Sequence, residues 1–377
     1  MITRRARSTR RAAVADRSDS VREGPPPGVG RLRWQQTEVL GQPLAVLAHP
    51  ERGTLTTALE LDAGEEDGSP ADGRPADGRP VEGRSVDGRP VEGRSADARP
   101  VDDVRLRDLL ARVGGAATPF VRLQLLVTDR PPGRARRFRL VAAMPLDRRI
   151  RAEALAVGEG SGGPLGDRSA RGLALLAGRA TLDLARHLAE AGIPIRAFLD
   201  ADALAALIRS RYDPGPGPAA GGSGGPVGDP WPTDIDATDH RHLRTVTPAA
   251  SGAARSVGWF HATAWLKSWP TAGTGGIDLA APLGPLPGLT LPRTAALVLA
   301  VGPGEGPAAA AYLTVSARTP VELQLARAQL RRPRDAEPGL HLEWTDREHH
   351  LAFVHTLPLA TGLAPVRPAE PPAAGMA

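Results

Sequence analysis

The chain contains no cysteine and, among its 47 basic residues, a single lysine, Lys267. The absence of cysteine excludes disulfide bonds, thiolate zinc sites and a cysteine nucleophile. Because arginine stays protonated, the isoelectric point reaches about 10.6 while the formal net charge is only +5. The arginine content therefore gives no reason to expect a nucleic-acid partner, and none is expected.

Long apolar runs are also missing, since no stretch approaches the roughly 18–20 consecutive apolar residues of a membrane span. Residues 1–29 are rich in arginine and lack the apolar segment of a signal peptide. We expect this N-terminus to be disordered. The alternative is a basic segment that lies against an anionic membrane surface.

Proline and glycine are abundant, with 38 and 43 residues, and they are concentrated in a few segments. A pentapeptide repeat of the type PADGR occupies 70–99. Without apolar side chains it cannot offset the entropy cost of ordering, which predicts a disordered loop over 65–102, with a partner-binding tract as the alternative. Residues 213–230 predict a flexible linker or a long loop of a single sheet. Residues 364–377 predict a disordered tail.

The remaining segments predict a mixed α/β (α+β) fold, with sheet and helix layers in two halves, 30–212 and 231–363. Asp200 and Thr319 are the expected helix N-caps, and Gly192 is the expected C-cap. Three antiparallel strands are predicted within 31–62, helices over 101–113, 167–193, 200–212 and 319–332, and further strands over 120–131, 136–147, 193–200, 258–270, 293–301 and 308–318.

The histidines form no recognisable metal-binding pattern. His240 and His242 lie near Asp236 and Asp239 and, two residues apart on a strand, would share one face. A zinc site needs a third ligand at a recognisable spacing, which the sequence does not offer. A solvated loop is therefore the preferred interpretation, and no metal is expected.

The other histidines are weak candidates for catalysis. His349 and His350 are adjacent, so at most one of them could join a site on a strand. His261 lies in the middle of a predicted strand, where a hydrogen-bonded structural histidine is more common than a general base. We expect no catalytic residue among them.

Glycine-rich segments also fail to predict a nucleotide site. Residues 158–163 match G-x-G-x-x-G, but Pro164 follows and the predicted helix begins several residues later. A G-x-S-x-G pattern at 221–225 lies in the linker, without its strand–turn–helix context. Residues 301–307 connect two predicted strands and indicate a hairpin turn. We therefore expect no cofactor.

Three of the six tryptophans lie in the segment GWFHATAWLKSWP, residues 258–270. On a strand, alternation places the large amphipathic side chains of this segment on one face. If that face is buried, the indole and imidazole N–H groups need partners; if it is exposed, it is an apolar interaction surface. The candidate structural or interface residues are Trp259, His261, Trp265, Trp269 and Pro270.

The pattern HATAWLKSWP at 261–270 resembles a strand of EccE, a component of actinobacterial type VII (ESX) secretion systems. The opening segment 30–62, the later strand–strand–helix unit and a final strand ending in TLPLATGL, 356–363, are similar too. The resemblance covers most of the chain, from Gly30 to Leu363. Members of that family usually begin with two transmembrane helices, and nothing before Gly30 could span a bilayer.

The resemblance implies a cytosolic EccE-like domain without those helices, acting as a non-catalytic accessory subunit of the secretion complex. It implies a peripheral position on the cytoplasmic side of the cell membrane. The implied partners are EccB-, EccC- and EccD-like subunits.

Two alternative functions stay open. One is a conjugation-associated membrane-complex protein. Such proteins resemble the chain in the same aromatic segment, but they carry a long helical insertion where this chain has only 301–307. The other is a nucleotide-sugar or phosphoryl-transfer enzyme on an α/β fold. Its candidate acids are Asp129, Asp200, Asp234 and Asp236.

Overall fold

The structure is a computed structural model that describes residues 29–62, 119–129, 136–159, 165–215, 231–232, 234–247, 257–268, 281–284, 286–300, 308–331 and 340–362. Six predictions fall wholly or mostly outside these residues: the disordered N-terminus, the pentapeptide-repeat loop, the helix at 101–113, the linker at 213–230, the hairpin turn at 301–307 and the disordered tail.

The described residues before 216 contain six strands and three helices. The strands are β1 (Arg33–Val39), β2 (Gln42–His49), β3 (Thr54–Leu61), β4 (Arg122–Asp129), β5 (Arg137–Pro145) and β6 (Ile195–Phe198). The helices are α1 (Arg148–Gly158), α2 (Leu165–Glu190) and α3 (Ala201–Tyr212).

The described residues after 230 contain six more strands and two more α-helices. The strands are β7 (Asp234–Asp236), β8 (Leu243–Thr247), β9 (Val257–Ser268), β10 (Arg293–Ala300), β11 (Ala308–Ala317) and β12 (His341–Trp344). The helices are α4 (Pro320–Arg331) and α5 (His349–Val354), and a short 3-10 helix spans Ala281–Leu283.

All twelve described strands belong to one sheet in which every pairing is antiparallel. The order is β1-β2-β3-β5-β4-β10-β11-β9-β8-β7, with β6 also beside β3 and β12 also beside β9. Strands β4 and β10 pair along their full length, from Arg122 opposite Ala300 to Asp129 opposite Arg293. The same sheet therefore contains strands from both sides of 213–230. A division into two domains there remains a prediction.

Helices cover both faces of this sheet, because neighbouring strand residues point to opposite sides. Leu125 packs in one apolar cluster with Leu184 of α2, together with residues of α1 and α4. The next residue, Leu126, packs in a second cluster with Leu204 of α3, together with residues of α5. We call these two sides face 1, under α1, α2 and α4, and face 2, under α3 and α5.

Helix ends follow the local sequence signals. The Asp200 carboxylate accepts a hydrogen bond from the Ala203 amide (2.7 Å), and Thr319 forms a reciprocal capping box with Glu322. Gly192 has a positive φ of 72°, and the Ile193 amide donates to the Leu188 carbonyl, which closes α2. All three predicted caps are confirmed.

One helix was missed by the sequence patterns. Helix α1 begins after Asp147, whose carboxylate accepts from the Ile150 amide at 2.8 Å. This N-cap is the signal that could have located it. The three buried residues Ile150, Ala154 and Gly158 follow one another at intervals of four on its inner side.

The C-terminal region differs from the prediction. His349 and His350 lie in α5, not on a strand. Residues 356–362 form turns after that helix, so the predicted final strand is wrong. Pro358 has no amide donor for a strand ladder, and the side chains of Leu357 and Leu359 are instead buried on face 2.

The preferred loop interpretation of His240 and His242 is confirmed, since both lie between β7 and β8 and not on a strand, but His242 is buried rather than solvated. His240 lies in the turn between β7 and β8. The Asp239 carboxylate shapes that turn by accepting a hydrogen bond from the Arg241 amide at 2.7 Å. Across the part of the chain that is described, no helix has both the length and the apolar character to span a bilayer.

Candidate functional site

Strand β9 carries the candidate residues and has two different faces. Ala262, Ala264 and Leu266 are buried on face 1. Trp259, His261 and Trp265 lie on face 2, as the alternation predicts. Trp269 and Pro270 lie outside the described residues, so their roles stay predictions.

Trp259 is a buried, fully bonded residue. Its side chain is 4% exposed, and its indole N–H donates to the Asp213 carboxylate at 2.7 Å. The Arg318 guanidinium lies 3.8 Å from the centre of the indole ring. The tryptophan therefore links β9 to the end of α3 and to the segment after β11, which is a structural task.

His261 is buried completely between two hydroxyl groups. Its Nε2 lies 2.8 Å from Thr245 Oγ1, and its Nδ1 lies 2.8 Å from Ser316 Oγ. Thr245 donates its own hydrogen to the Tyr212 carbonyl at 3.0 Å, so it must accept from Nε2–H. We therefore assign the proton to Nε2, with Ser316 donating to Nδ1.

This arrangement is a poor general base. Burial lowers the pKa of His261 to about 3. The nitrogen that faces away from Ser316, Nε2, meets the Thr245 hydroxyl, whereas in a serine hydrolase the nitrogen that faces away from the serine, Nδ1, meets a carboxylate that stabilises the imidazolium. The Ser316–His261 pair consequently supplies no driving force for removing the serine proton at neutral pH.

A second chain of hydroxyls continues on face 2. Thr314 Oγ1 lies 2.9 Å from Thr263 Oγ1 and 3.0 Å from Thr356 Oγ1, and all three residues are buried. Thr356 also donates to the Phe353 carbonyl at 2.9 Å. These bonds connect β9, β11 and the end of α5, and they satisfy polar groups that would be costly to leave unpaired.

His349 anchors α5 to the same strand. The Thr263 amide donates to His349 Nδ1 at 3.2 Å, while His349 Nε2 lies 3.2 Å from Asp346 Oδ1. Arg327, buried on α4, donates to the same carboxylate oxygen at 2.5 Å. Burial, followed by the charge of Arg327, lowers the pKa of His349 to about 4. His349 is therefore a neutral structural residue.

Trp265 is the exception on β9, because 41% of its surface is exposed. The Lys267 ammonium lies 3.5 Å from the centre of its ring, and Lys267 also pairs with Glu343 of β12 at 3.0 Å. We call Trp265, Lys267 and Glu343 the Trp265 surface. A large, rigid, amphipathic side chain held in one orientation at the surface is typical of an interface anchor.

A small cleft opens on face 2 beside this network. Its enclosed part has room for about one water molecule, and the remainder is open to solvent. The buried Arg211 donates to Thr294 Oγ1 and, at 3.1 Å, to Thr128 Oγ1. Six hydroxyl-bearing residues line the cleft: Thr128, Ser210, Thr294, Thr314, Ser316 and Thr356.

Three of the four candidate acids have separate local roles. Asp129 pairs with Arg293 at 2.7 Å, Asp200 caps α3, and Asp236 accepts from the amide and the hydroxyl of Thr238. Strands β4 and β7 are five steps apart in the sheet, about 24 Å at the usual strand spacing. Asp129 therefore cannot share a site with Asp236, or with the exposed Asp234 on the same strand.

The other candidate motifs also have structural roles where they are described. Gly158 lies where α1 meets α2, and a Cβ there would overlap the Arg168 carbonyl; residues 160–163 are not described. Within the described ranges, the histidines and acids form no group of three that could hold a metal ion.

Sequence reasoning missed the partners of the candidate residues, namely Asp213, Thr245, Ser316 and Arg318. The available signal was the hydroxyl residues within otherwise apolar strands, which require hydrogen-bond partners when buried. No family model and no curated protein matches this chain.

Proposed function

We propose that the chain is a non-catalytic accessory subunit of a type VII (ESX-like) protein secretion complex. It acts on the cytoplasmic face of the membrane, through contacts with EccB-, EccC- or EccD-like subunits. The proposal is supported by the resemblance of 261–270 to the EccE strand and by the chemistry of that strand.

The observation that carries the proposal is the contrast between Trp265 and its neighbours on face 2. The ring nitrogens of Trp259 and His261 form hydrogen bonds within the fold, whereas Trp265 is 41% exposed beside the Lys267–Glu343 ion pair. The exposed ring of Trp265 leaves apolar area in water. Contact with a partner surface would bury this area, which is favourable. A contact surface explains the position better than catalysis does.

The test is purification of the tagged chain from its native membranes, with Trp265→Ala compared with wild type. Because Trp265 is partly exposed, we expect the variant to fold, with a loss of about 1 kcal/mol in unfolding free energy. We expect wild type to recover an EccC-like subunit, which is an FtsK-like ATPase, and an EccD-like subunit, which is a multi-span channel protein. With the variant we expect at least a tenfold loss of both.

Leu325→Ala is the matched control, because Leu325 is 52% exposed on α4, over face 1. It should retain the partners. Recovery of wild-type chain alone from the soluble fraction would contradict the subunit proposal. Equal recovery of the partners with wild type and Trp265→Ala would support the subunit proposal but would contradict the role of the Trp265 surface as the contact site.

The cleft favours a second candidate, the nucleotide-sugar or phosphoryl-transfer enzyme. Arg211 and Arg293 line the cleft together with six hydroxyl-bearing residues, a chemistry that suits a phosphate group bound at its open mouth. This candidate predicts that ATP or UDP-glucose raises the melting temperature of wild type but not of Arg211→Met. If neither compound changes the melting temperature of wild type, the enzyme candidate is contradicted.

A further inference from the structure

The two halves of the sheet have the same strand order when each is followed from its outer edge to the centre. One half is β1-β2-β3-β5-β4 and the other is β7-β8-β9-β11-β10. On each side a hairpin (β1–β2 or β7–β8) leads into a long strand (β3 or β9). One edge of the long strand pairs with β5 or β11. Its other edge pairs first with the hairpin and then with a short later strand, β6 or β12.

The match extends to individual residues. In β3, Leu59 lies between Leu140 of β5 and Phe198 of β6. In β9, Ala264 lies between its counterparts Leu313 of β11 and Trp344 of β12.

The backbone contacts that follow these short strands also correspond. The Leu199 amide donates to the Ala58 carbonyl at 3.0 Å, and the Thr345 amide donates to the Thr263 carbonyl at 3.1 Å. By this correspondence, Asp200 at the start of α3 matches Asp346 before α5.

The two units meet at β4 and β10, and the register there identifies a symmetry axis. Leu125 pairs with Leu140, and Ala295 pairs with Leu313, so Leu125 corresponds to Ala295. The next residues, Leu126 and Ala296, are therefore equivalent, and they are paired with each other. Residues that pair with their own equivalents lie on a two-fold axis, which here runs between Leu126 and Ala296, perpendicular to the sheet.

The residues that precede the first hairpin strand of each unit also agree, since Val29 before β1 and Trp231 before β7 are both buried apolar residues on face 2. No described strand or helix of either unit lies within the sequence range of the other.

We infer that the chain is two copies of one β-β-β-β-β-α-β-α unit, fused in tandem and closed around a pseudo-two-fold axis. The first copy carries one additional helix, α1, between β5 and α2. The two copies are arranged as the two subunits of a symmetric homodimer would be, but they are covalently linked. This inference rests on strand pairing and does not depend on the proposed secretion function.

The two copies have diverged at the candidate site. The position of His261 in the second unit is held by Thr56 in the first, and the position of Trp265 is held by Glu60. Glu60 accepts an ion-pair hydrogen bond from Arg137 at 3.1 Å. The unit therefore folds without a tryptophan at this position, so the fold alone does not account for Trp265.

The test uses the full chain with a protease site placed within 216–230 and cleaved after folding. We expect the two pieces to elute together at the size of the intact chain, because the β4–β10 pairing and the face 2 core still join them. After unfolding in urea and dilution, we expect recovery of the native far-ultraviolet spectrum at a rate that rises with protein concentration, since folding now requires association.

The matched control places the same site within 301–307, between β10 and β11 and therefore inside the second unit. Its pieces should refold with at least a fivefold lower yield. Separation of the pieces after cleavage within 216–230, or equal refolding yields for the two cleaved chains, would overturn the inference.

Discussion

At the scale of single residues, the described part of the aromatic strand divides into internal and external positions. Trp259 and His261 have partners for their ring N–H groups, while Trp265 shares its exposed ring with Lys267. The sequence predicted which side chains share a face, since that follows from alternation alone. It could not predict which of them are covered, because α5 and the segment after it come from distant parts of the chain.

Replacing His261 with phenylalanine tests the buried hydroxyl network. His261→Phe fills a similar volume but leaves Thr245 and Ser316 without their shared partner. We expect a loss of about 2–4 kcal/mol in unfolding free energy, measured by urea denaturation, because buried polar groups would be unsatisfied. The exposed His240→Phe is the control and should change stability by less than about 0.5 kcal/mol. Equal effects of the two substitutions would show that the network contributes little.

The buried histidines also predict a pH dependence of stability. Burial lowers the pKa of His261 to about 3 and the pKa values of His49, His349 and His355 to about 4 each. In the unfolded chain these groups return to about 6.5, so between pH 6.5 and 4 the unfolded state binds more protons. Their stabilising contribution is complete above pH 6.5 and is lost as the pH falls.

Urea denaturation at pH 7.5, 6.5, 6.0 and 5.5 measures this loss. Each of the four groups should lower the unfolding free energy by up to about 1.4 kcal/mol for each pH unit below its pKa in the unfolded chain. We therefore expect a steep decrease in unfolding free energy over this range, and a shallower one for His355→Gln. A free energy that stays constant between pH 6.5 and 5.5 would mean that these histidines are not buried as described.

At the scale of elements, α1 and α2 depend on glycine for their close packing. A Cβ on Gly172 of α2 would overlap the Ala154 carbonyl of α1, while a Cβ on Gly166 of the same helix would meet no atom. The long helix was predictable from its leucine spacing and from Gly192. Its partner α1 was missed because its apolar positions are few and its N-cap was overlooked.

The two glycines provide a matched pair of substitutions. Gly172→Ala should destabilise the chain by about 1–3 kcal/mol or more, because the two helices must move apart. Gly166→Ala should be neutral or stabilising by up to about 1 kcal/mol, since alanine has the higher helix propensity. Thermal unfolding followed by circular dichroism at 222 nm measures both. If Gly172→Ala matched Gly166→Ala in stability, the close helix contact would be refuted.

At the scale of the whole molecule, the sequence predicted most strands but not their order. Local alternation and turn residues identify β1 to β3 as a meander, and their pairing confirms it. The β4–β10 pairing joins residues about 170 positions apart in the sequence, and no local signal specifies such a partner. The sheet order, and with it the pseudo-two-fold axis, therefore required the structure.

The proposed function also belongs to this scale, and the chain provides its own chemical probe. Lys267 is the only lysine, and it lies beside Trp265. An amine-reactive cross-linker can therefore attach to the chain only at Lys267 and at the N-terminal amine. Lys267→Arg, which keeps the charge and removes the reactive amine, distinguishes these two attachment points.

The most direct measurement is cross-linking in native membranes, followed by mass spectrometry of the products from wild type and Lys267→Arg. We expect a product that joins Lys267 to an FtsK-like ATPase or a multi-span channel protein, and we expect Lys267→Arg to lose this product. If Lys267 is linked only to soluble enzymes or to further copies of this chain, the secretion-subunit account is contradicted.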